Sequence, residues 1–401
     1  MKRLFWFGYD FLSYVFLGIG LLLFPLRWLV KFISIRTQPT DLRLNSLWTG
    51  TPIITLAVKA KAEALLGVNA KSLVYDTYFI TSDFDYNLSG WTTIPLVGKL
   101  TSLFVFIWVC LWADRIHMYM DRGVLLGSKP LQSSFKELLV YKKLGISFFF
   151  WTYGADVRSR QTTEKLGHPN CCTECPAIGK ACICDEYSRK IRINKLTHYA
   201  RCVFSMGDMM EYTVGSRNDL FFWPLDLYGA KSAKYKAIYP TSDRTKPVRI
   251  VHAPNHRAFK GTHYLIEAVE RLIAKGTQIE LVLVEKVANE KALEMYRSAD
   301  IIFDQCLIGF HGYFALEGMA MGKPVMCYIR KPQEYLLNHE ECPIINTHID
   351  TLEQDIEELV NNRDRLREIG IKSRQYIEKY FTLEAFADRL KNAYQDLGVT
   401  I

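Results

Sequence analysis

Residues 299–327, ADIIFDQCLIGFHGYFALEGMAMGKPVMC, constrain this chain more than any other stretch. Positions 299–306 form a short apolar run fit for a buried strand. Gly309 and Gly312 then break the pattern, 313–321 returns to helical spacing, and Gly322, Lys323 and Pro324 close it. The predicted order is strand, glycine loop, helix. A glycine turn feeding a helix N-terminus lets backbone N–H groups approach an anion, and the helix dipole favours negative charge there. Phosphate is the natural guest. Glu317, one turn inside the helix, can accept hydrogen bonds from sugar hydroxyls, so the physical reading is a nucleotide site.

The run GFHGYFALEGMAMGKPV (309–325) resembles the signature of the retaining, nucleotide-sugar-dependent glycosyltransferases of the two-Rossmann, or GT-B, architecture. That signature has two glutamates separated by seven residues and then Met-Ala-x-Gly-x-Pro-Val. Glu317 matches the second glutamate, and Gly312, Met319, Ala320, Gly322, Pro324 and Val325 match as well. Gly309 stands where the family has the first glutamate, which it associates with the transferred sugar. The resemblance implies an α/β fold of two Rossmann-like domains, a hexosyltransferase-type activity and a nucleotide diphosphate sugar as donor.

Length agrees with two domains, because 401 residues exceed one typical core. The formal charge of +8 suits either nucleic acid or an anionic membrane surface. Its placement decides for lipid: Lys2, Arg3, Arg27, Lys31, Arg36 and Arg43 flank the first hydrophobic segment, with only Asp10 and Asp41 against them. No nucleic-acid partner is expected. Residues 11–26 are uncharged, and the run extends to about 5–30 if Asp10 and Arg27 are tolerated, near the lower limit for a bilayer span. No small-residue cleavage site follows, so a cleavable signal peptide is not the reading. A signal anchor, a re-entrant hairpin broken near Pro25 and a helix lying in the interface all fit. We therefore expect an N-terminal hydrophobic membrane helix, over residues 1–36.

A first Rossmann-like domain is expected over 37–238. Strand 42–48, the turn Thr49-Gly50-Thr51-Pro52, helix 53–66 and strand 72–75 make a β-α-β unit, and a right-handed crossover onto a parallel sheet follows. The apolar segment 91–112 reads either as a core helix or as a membrane-facing one. Strand 146–151 leads into Tyr153-Gly154-Ala155-Asp156-Val157-Arg158 at its C-terminal end, where open α/β sheets place ligand groups. This turn resembles the Gly-Ser-Asp-x-Arg segment of some polysaccharide glycosyltransferases. By that resemblance Tyr153, Asp156 and Arg158 bind the acceptor, and Asp156 also has a catalytic part. Strands at 201–206 and 220–227 complete the domain.

Cys171, Cys172, Cys175, Cys182 and Cys184 place half of the ten cysteines within one loop, 171–184. Cys172, Cys175, Cys182 and Cys184 form a Cys-x-x-Cys and a Cys-x-Cys pair that can supply four thiolates to a structural zinc or an iron–sulfur cluster. The spacing matches no standard finger or ribbon, so a packed, reduced loop and disulfides are alternatives.

Residues 239–246 read as the linker, and 247–381 as the second Rossmann-like domain, which binds the nucleotide sugar. Strand 248–252 precedes Arg257, Lys260 and Gly261, and a helix to about residue 274 begins at Thr262, a plausible N-cap. Lys260-Gly261 matches the family's Lys-Gly, where a lysine and a preceding arginine hold the donor diphosphate. Asn255 occupies the usual arginine position, which makes Arg257 the substitute. Fixed cations stabilise the leaving diphosphate as its charge grows, so Arg257 and Lys260 are catalytic candidates and no metal is required for the chemistry. Gly50, Arg257, Lys260, Gly309, His311, Gly312, Tyr313, Phe314 and Glu317 form the implied donor site. Strands at 279–285 and 300–303 flank a helix at 289–298, and helices follow at 351–361, 363–380 and 383–397. In resembling enzymes the last helix, here within 382–401, packs back on the first domain.

The expected function is transfer of a sugar, with retention, from a nucleotide diphosphate sugar to a membrane-associated, polyprenyl-linked saccharide at the cytoplasmic face of the cell inner membrane. Two other classes remain open. One is a non-catalytic glycosyltransferase-like subunit that binds a partner enzyme or lipid; the other is a sugar-binding scaffold whose cysteine loop holds a metal.

Overall fold

A computed structural model describes residues 2–37, 44–78, 81–92, 94–126, 135–177, 184, 186–220, 223–229, 232–287 and 289–401. Eleven strands among them form two wholly parallel sheets. The first pairs β1 (Asn45–Thr49), β2 (Asn69–Val74), β3 (Tyr86–Asn87), β4 (Arg115–Tyr119), β5 (Ser147–Trp151) and β6 (Cys202–Phe204) in the order β3-β2-β1-β4-β5-β6. Every residue of β1 and β4 is buried, as expected for strands covered on both faces by crossover helices. The second pairs β7 (Val248–His252), β8 (Ile279–Leu283), β9 (Ile301–Gln305), β10 (Val325–Cys327) and β11 (Ile345–Asn346) in the order β11-β10-β9-β7-β8. Strand order reverses between β1 and β4 in one sheet and between β7 and β9 in the other. Ligands of open α/β sheets bind outside the carboxyl ends of the strands at such points.

The chain divides into two units. One takes the residues up to Val157, Tyr187–Pro224 and Phe386–Ile401; the other takes Arg158–Glu186 and Leu225–Ala385. Two expected boundaries therefore move. The described residues of the cysteine loop belong to the second unit, where Tyr264 Oη donates to Glu174 at 3.3 Å. Residues 239–246 are part of that unit as well: Ile238 N–H donates to Met321 O at 2.9 Å, and a Cβ on Gly322 would meet the Tyr239 ring at 2.7 Å. The expected strand at 220–227 is reduced, among the described residues, to a single bridge from Leu225 to Thr382. Pro224 has no N–H to continue a ladder.

A buried polar network ties Phe386–Ile401 into the first unit. Glu63 accepts from Trp48 Nε1 at 2.6 Å, from Arg115 Nη1 at 2.7 Å and from Tyr394 Oη at 2.7 Å. Trp151 Nε1 donates to His117 Nδ1 at 2.9 Å, and His117 Nε2 lies 2.9 Å from Tyr394 Oη. Burial lowers the His117 pKa, so the ring is neutral. One proton order then satisfies all three groups: His117 Nε2–H donates to Tyr394, and Tyr394 donates to Glu63. Tyr394→Phe removes a partner from both at once. It is expected to cost about 1–3 kcal/mol, read as a lower denaturant midpoint with an unchanged slope.

The N-terminal segment forms two helices, Lys2–Leu22 and Phe24–Thr37. The break falls at Leu23, two residues before Pro25, which supplies no N–H for the first helix to continue through. Among the described residues no single helix is long and apolar enough to cross a membrane; the pair Gly8–Leu22 and Phe24–Ile33, bent by 55°, passes by length and composition. Tyr9, Ser13 and Leu17 form a buried stripe at helical spacing. Gly20 continues it, because a Cβ there would lie 2.8 Å from the Phe106 ring and 3.0 Å from Val140. Arg27 donates to Cys110 O at 2.8 Å, and Lys31 donates to Asp114 at 2.6 Å and to Trp112 O at 2.7 Å. Cys110 and Trp112 belong to the last turn of the helix Pro95–Trp112, the second apolar segment, and Asp114 lies just beyond it. Phe11, Tyr14, Leu22, Phe24, Trp28 and Ile33 remain exposed on the other side.

Candidate functional site

In the second unit the polar groups gather where β7 and β9 end. Lys260 closes the short helix Arg257–Lys260, and its Nζ donates to Asp304 Oδ1 at 2.6 Å. Asp304 is a β9 residue with a fully buried side chain, and its Oδ2 accepts the Gly312 N–H. Burial alone would raise the Asp304 pKa, but the Lys260 ammonium and the Gly312 N–H outweigh it and hold the carboxyl below its ordinary value. Gln305 clamps the loop that follows. Its Oε1 accepts from Leu307 N–H at 2.8 Å and Ile308 N–H at 2.6 Å, while Nε2 donates to Phe310 O at 3.1 Å and Tyr328 O at 2.7 Å.

Of two glycines here, one is sterically required and the other keeps the loop open. Gly261 has φ +74°, and a Cβ on it would sit 2.3 Å from Cys306 Sγ. At Gly312 a Cβ would come within 3.3 Å of Lys260 Nζ, so the glycine leaves the ammonium and the N-terminus of the helix Tyr313–Ala320 open to a common guest. Thr262, expected as an N-cap, instead bonds His252 Nε2 at 2.8 Å, and Gly261 takes the N-cap position.

Glu317 is 5% exposed and receives a hydrogen bond from Tyr235 Oη at 3.4 Å. Burial raises its pKa to about 7, against the opposing pull of Lys234 and Tyr235. Tyr313 shares the Tyr235 hydroxyl, and the Phe314 ring lies 4.6 Å from that of Tyr296. His311 is buried against Phe310, with ring centroids 4.2 Å apart, and its Nδ1 lies 3.3 Å from Gly312 O. Arg257, the other predicted cation, pairs with Glu285 at 2.8 and 2.6 Å in a half-exposed setting. The structure thus joins Lys260 and Gly312 through Asp304 and sets Arg257 in a different ion pair.

The first unit carries a second polar cluster at the ends of β1, β4 and β5. Gly50 has φ +128°, and a Cβ on it would lie 3.1 Å from Tyr119 N. Asp121 Oδ2 accepts from the Thr51 hydroxyl and from Tyr153 Oη, the latter at 3.0 Å. Asp156 Oδ1 accepts the N–H groups of Tyr153 and Gly154, each at 3.0 Å. The remaining oxygens, Asp121 Oδ1 and Asp156 Oδ2, are buried and have no partner, as are Nε and Nη1 of Arg189 on the helix Glu186–Tyr199. Burial first, and the Asp121 charge second, raise the Asp156 pKa to about 7, while Arg189 draws it down. Buried polar atoms without partners are costly unless a ligand or water meets them, so this cluster is suited to a polyhydroxylated guest. Tyr153 and Asp156 come together as expected; Arg158 falls in the second unit.

Sequence reasoning missed Asp121, Arg189, Tyr235, Asp304 and Gln305. Only Asp304-Gln305 left a signal, a charged and a polar residue ending an otherwise apolar strand. Of the proposed metal ligands, Cys182 lies outside the described residues. Cys172 and Cys175 are free thiols, and among the described residues no group of three or more His, Cys, Asp or Glu is placed to hold a metal.

No family model matches the sequence, and no curated protein matches it. Solved structures do resemble the fold. Anabaena HepE, determined in complex with UDP-glucose, is 11% identical with a TM-score of 0.54, over 88% of this chain and 100% of that one. Sucrose-phosphate synthase from Thermosynechococcus elongatus is 12% identical with a TM-score of 0.56, over 88% and 99%. The likeness is one of fold: the chain shares with them an α/β architecture with parallel sheets.

Proposed function

We propose that this chain is a glycosyltransferase that moves a sugar from a nucleotide diphosphate sugar, held by the second unit, to a saccharide acceptor held by the first. The observation that carries this reading is the Lys260–Asp304–Gly312 arrangement at the β7/β9 reversal. It offers a fixed cation and a helix N-terminus to a diphosphate, and Glu317 lies one turn further on for the ribose. The sequence signature ending at Val325 supports retention of configuration. One observation favours a second stereochemistry: Asp156 Oδ2 has no partner and its carboxyl titrates near neutrality, as a base for a one-step, inverting displacement would. The anomeric coupling constant of the product, measured by NMR, decides between them.

The acceptor is proposed to be lipid-linked, as a polyprenyl-linked saccharide is, at the cytoplasmic face of the inner membrane. The support is the bent helix pair, docked along one stripe and apolar on its other side, with Arg27 and Lys31 beside it. The test is thermal stability of the detergent-purified chain against UDP-, GDP-, ADP- and CMP-sugars. One nucleotide raising the midpoint in the wild type and not in Glu317→Ala is the expected result. No shift with any of them would favour a non-catalytic subunit that binds a partner.

A further inference from the structure

Gly309 departs from the glycosyltransferase signature, and Arg330 occupies the space that the departure opens. Gly309 has φ +91°, and a Cβ on it would lie 2.7 Å from Arg330 Nη2 and 2.8 Å from its Cζ. The arginine is held against the loop: its backbone N–H donates to Gly309 O at 3.0 Å, and Nη2 donates to Ile308 O at 2.9 Å. Nε and Nη1 are buried and have no partner. A guanidinium has five N–H donors and cannot shed its charge, so leaving Nε and Nη1 unpaired in the interior is costly. Among the described residues no carboxylate answers it.

Lys260 stands at the other end of the same loop, beside Gly312. Gly309 and Gly312 are three residues apart, so at most about 11 Å of chain separates the two places. On the donor reading, a ligand runs from the nucleoside at Glu317, past the diphosphate at Lys260 and Gly312, toward Gly309. Arg330 then faces the far end of that ligand.

We propose that Arg330 receives the carboxylate of the transferred sugar, and that the donor is therefore a nucleotide diphosphate uronic acid. Nη1 and the second N–H of Nη2 form one edge of the guanidinium that matches two carboxylate oxygens, and the charge replaces hydroxyl recognition by anion recognition. This assignment rests on the reading of the second unit as the donor site.

The experiment is calorimetric titration of the full chain with UDP, UDP-glucose and UDP-glucuronate, in the wild type and in Arg330→Gln, which keeps a donor for Ile308 O without the charge. Wild type is expected to bind UDP-glucuronate about ten- to a hundredfold tighter than UDP-glucose. Arg330→Gln is expected to lose that preference and keep its affinity for UDP. Absence of UDP binding overturns this assignment, and it overturns the donor reading as well where the GDP-, ADP- and CMP-sugars also give no shift of the thermal midpoint. UDP binding with no preference between the two sugars overturns the Arg330 assignment alone. So does a folded Arg330→Gln chain that loses UDP as fully as UDP-glucuronate, since the guanidinium then serves the diphosphate. If Arg330→Gln does not fold, Arg330→Lys takes its place: a point charge cannot hold both oxygens, and an unchanged preference overturns the assignment.

Discussion

Asp156→Asn is expected to lower the rate of sugar transfer by about 10²- to 10⁴-fold, the usual contribution of a positioned proton acceptor. The wild-type rate should rise with pH through about 7, where the carboxyl ionises, and then level off. The variant should lack that limb. The same substitution has an opposite expected effect on stability. The folded pKa of Asp156 is raised from 3.8 to about 7, so the stability it contributes is full below pH 3.8 and is lost as pH rises to about 7. Asparagine carries no such cost, and thermal midpoints recorded between pH 4 and 8 should fall with rising pH more in the wild type than in the variant. An activity loss accompanied by lower stability at pH 8 would instead mark Asp156 as a structural residue.

Lys260→Met is expected to abolish nucleotide binding and to destabilise the second unit. Both follow from the buried pair with Asp304. Removing one partner leaves a carboxylate in the interior with only the Gly312 N–H and the weak donor Cys327 Sγ, a change that typically costs about 3–5 kcal/mol. The double variant Lys260→Met, Asp304→Asn separates the two effects, because it removes the unpaired charge as well as the cation. It should recover most of the thermal midpoint and none of the affinity for the nucleotide. Recovery of binding in the double variant would show that the lysine only holds the loop and never meets the diphosphate.

Much of the architecture was legible because parallel strands and their crossover helices leave local marks. Residues 248–252, 299–306 and 363–380 announce their elements through unbroken apolar runs or helical spacing, and the structure places them as β7, β9 and the helix Arg363–Tyr380. The glycine loop was legible for the same reason: its glycines and the lysine lie within short, ordered segments. What could not be read was pairing across distance. Asp121 and Asp304 are single carboxylates at strand ends, unremarkable in sequence, and they become hubs only because the sheets set Tyr153 beside one and Lys260 beside the other. Arg257 reversed in the other direction: it sits three residues before Lys260, yet helical geometry turns it to Glu285.

The sequence by itself determined the alternation of strands and helices, the position of the glycine loop and the apolar N-terminus, since each depends on neighbours within about one turn or one strand. Tertiary structure alone decided which charges are neutralised, which carboxyls are held near neutrality and which cation answers Gly309. Those outcomes depend on burial and on partners tens of residues away, and burial changes the cost of a charge far more than any local preference does.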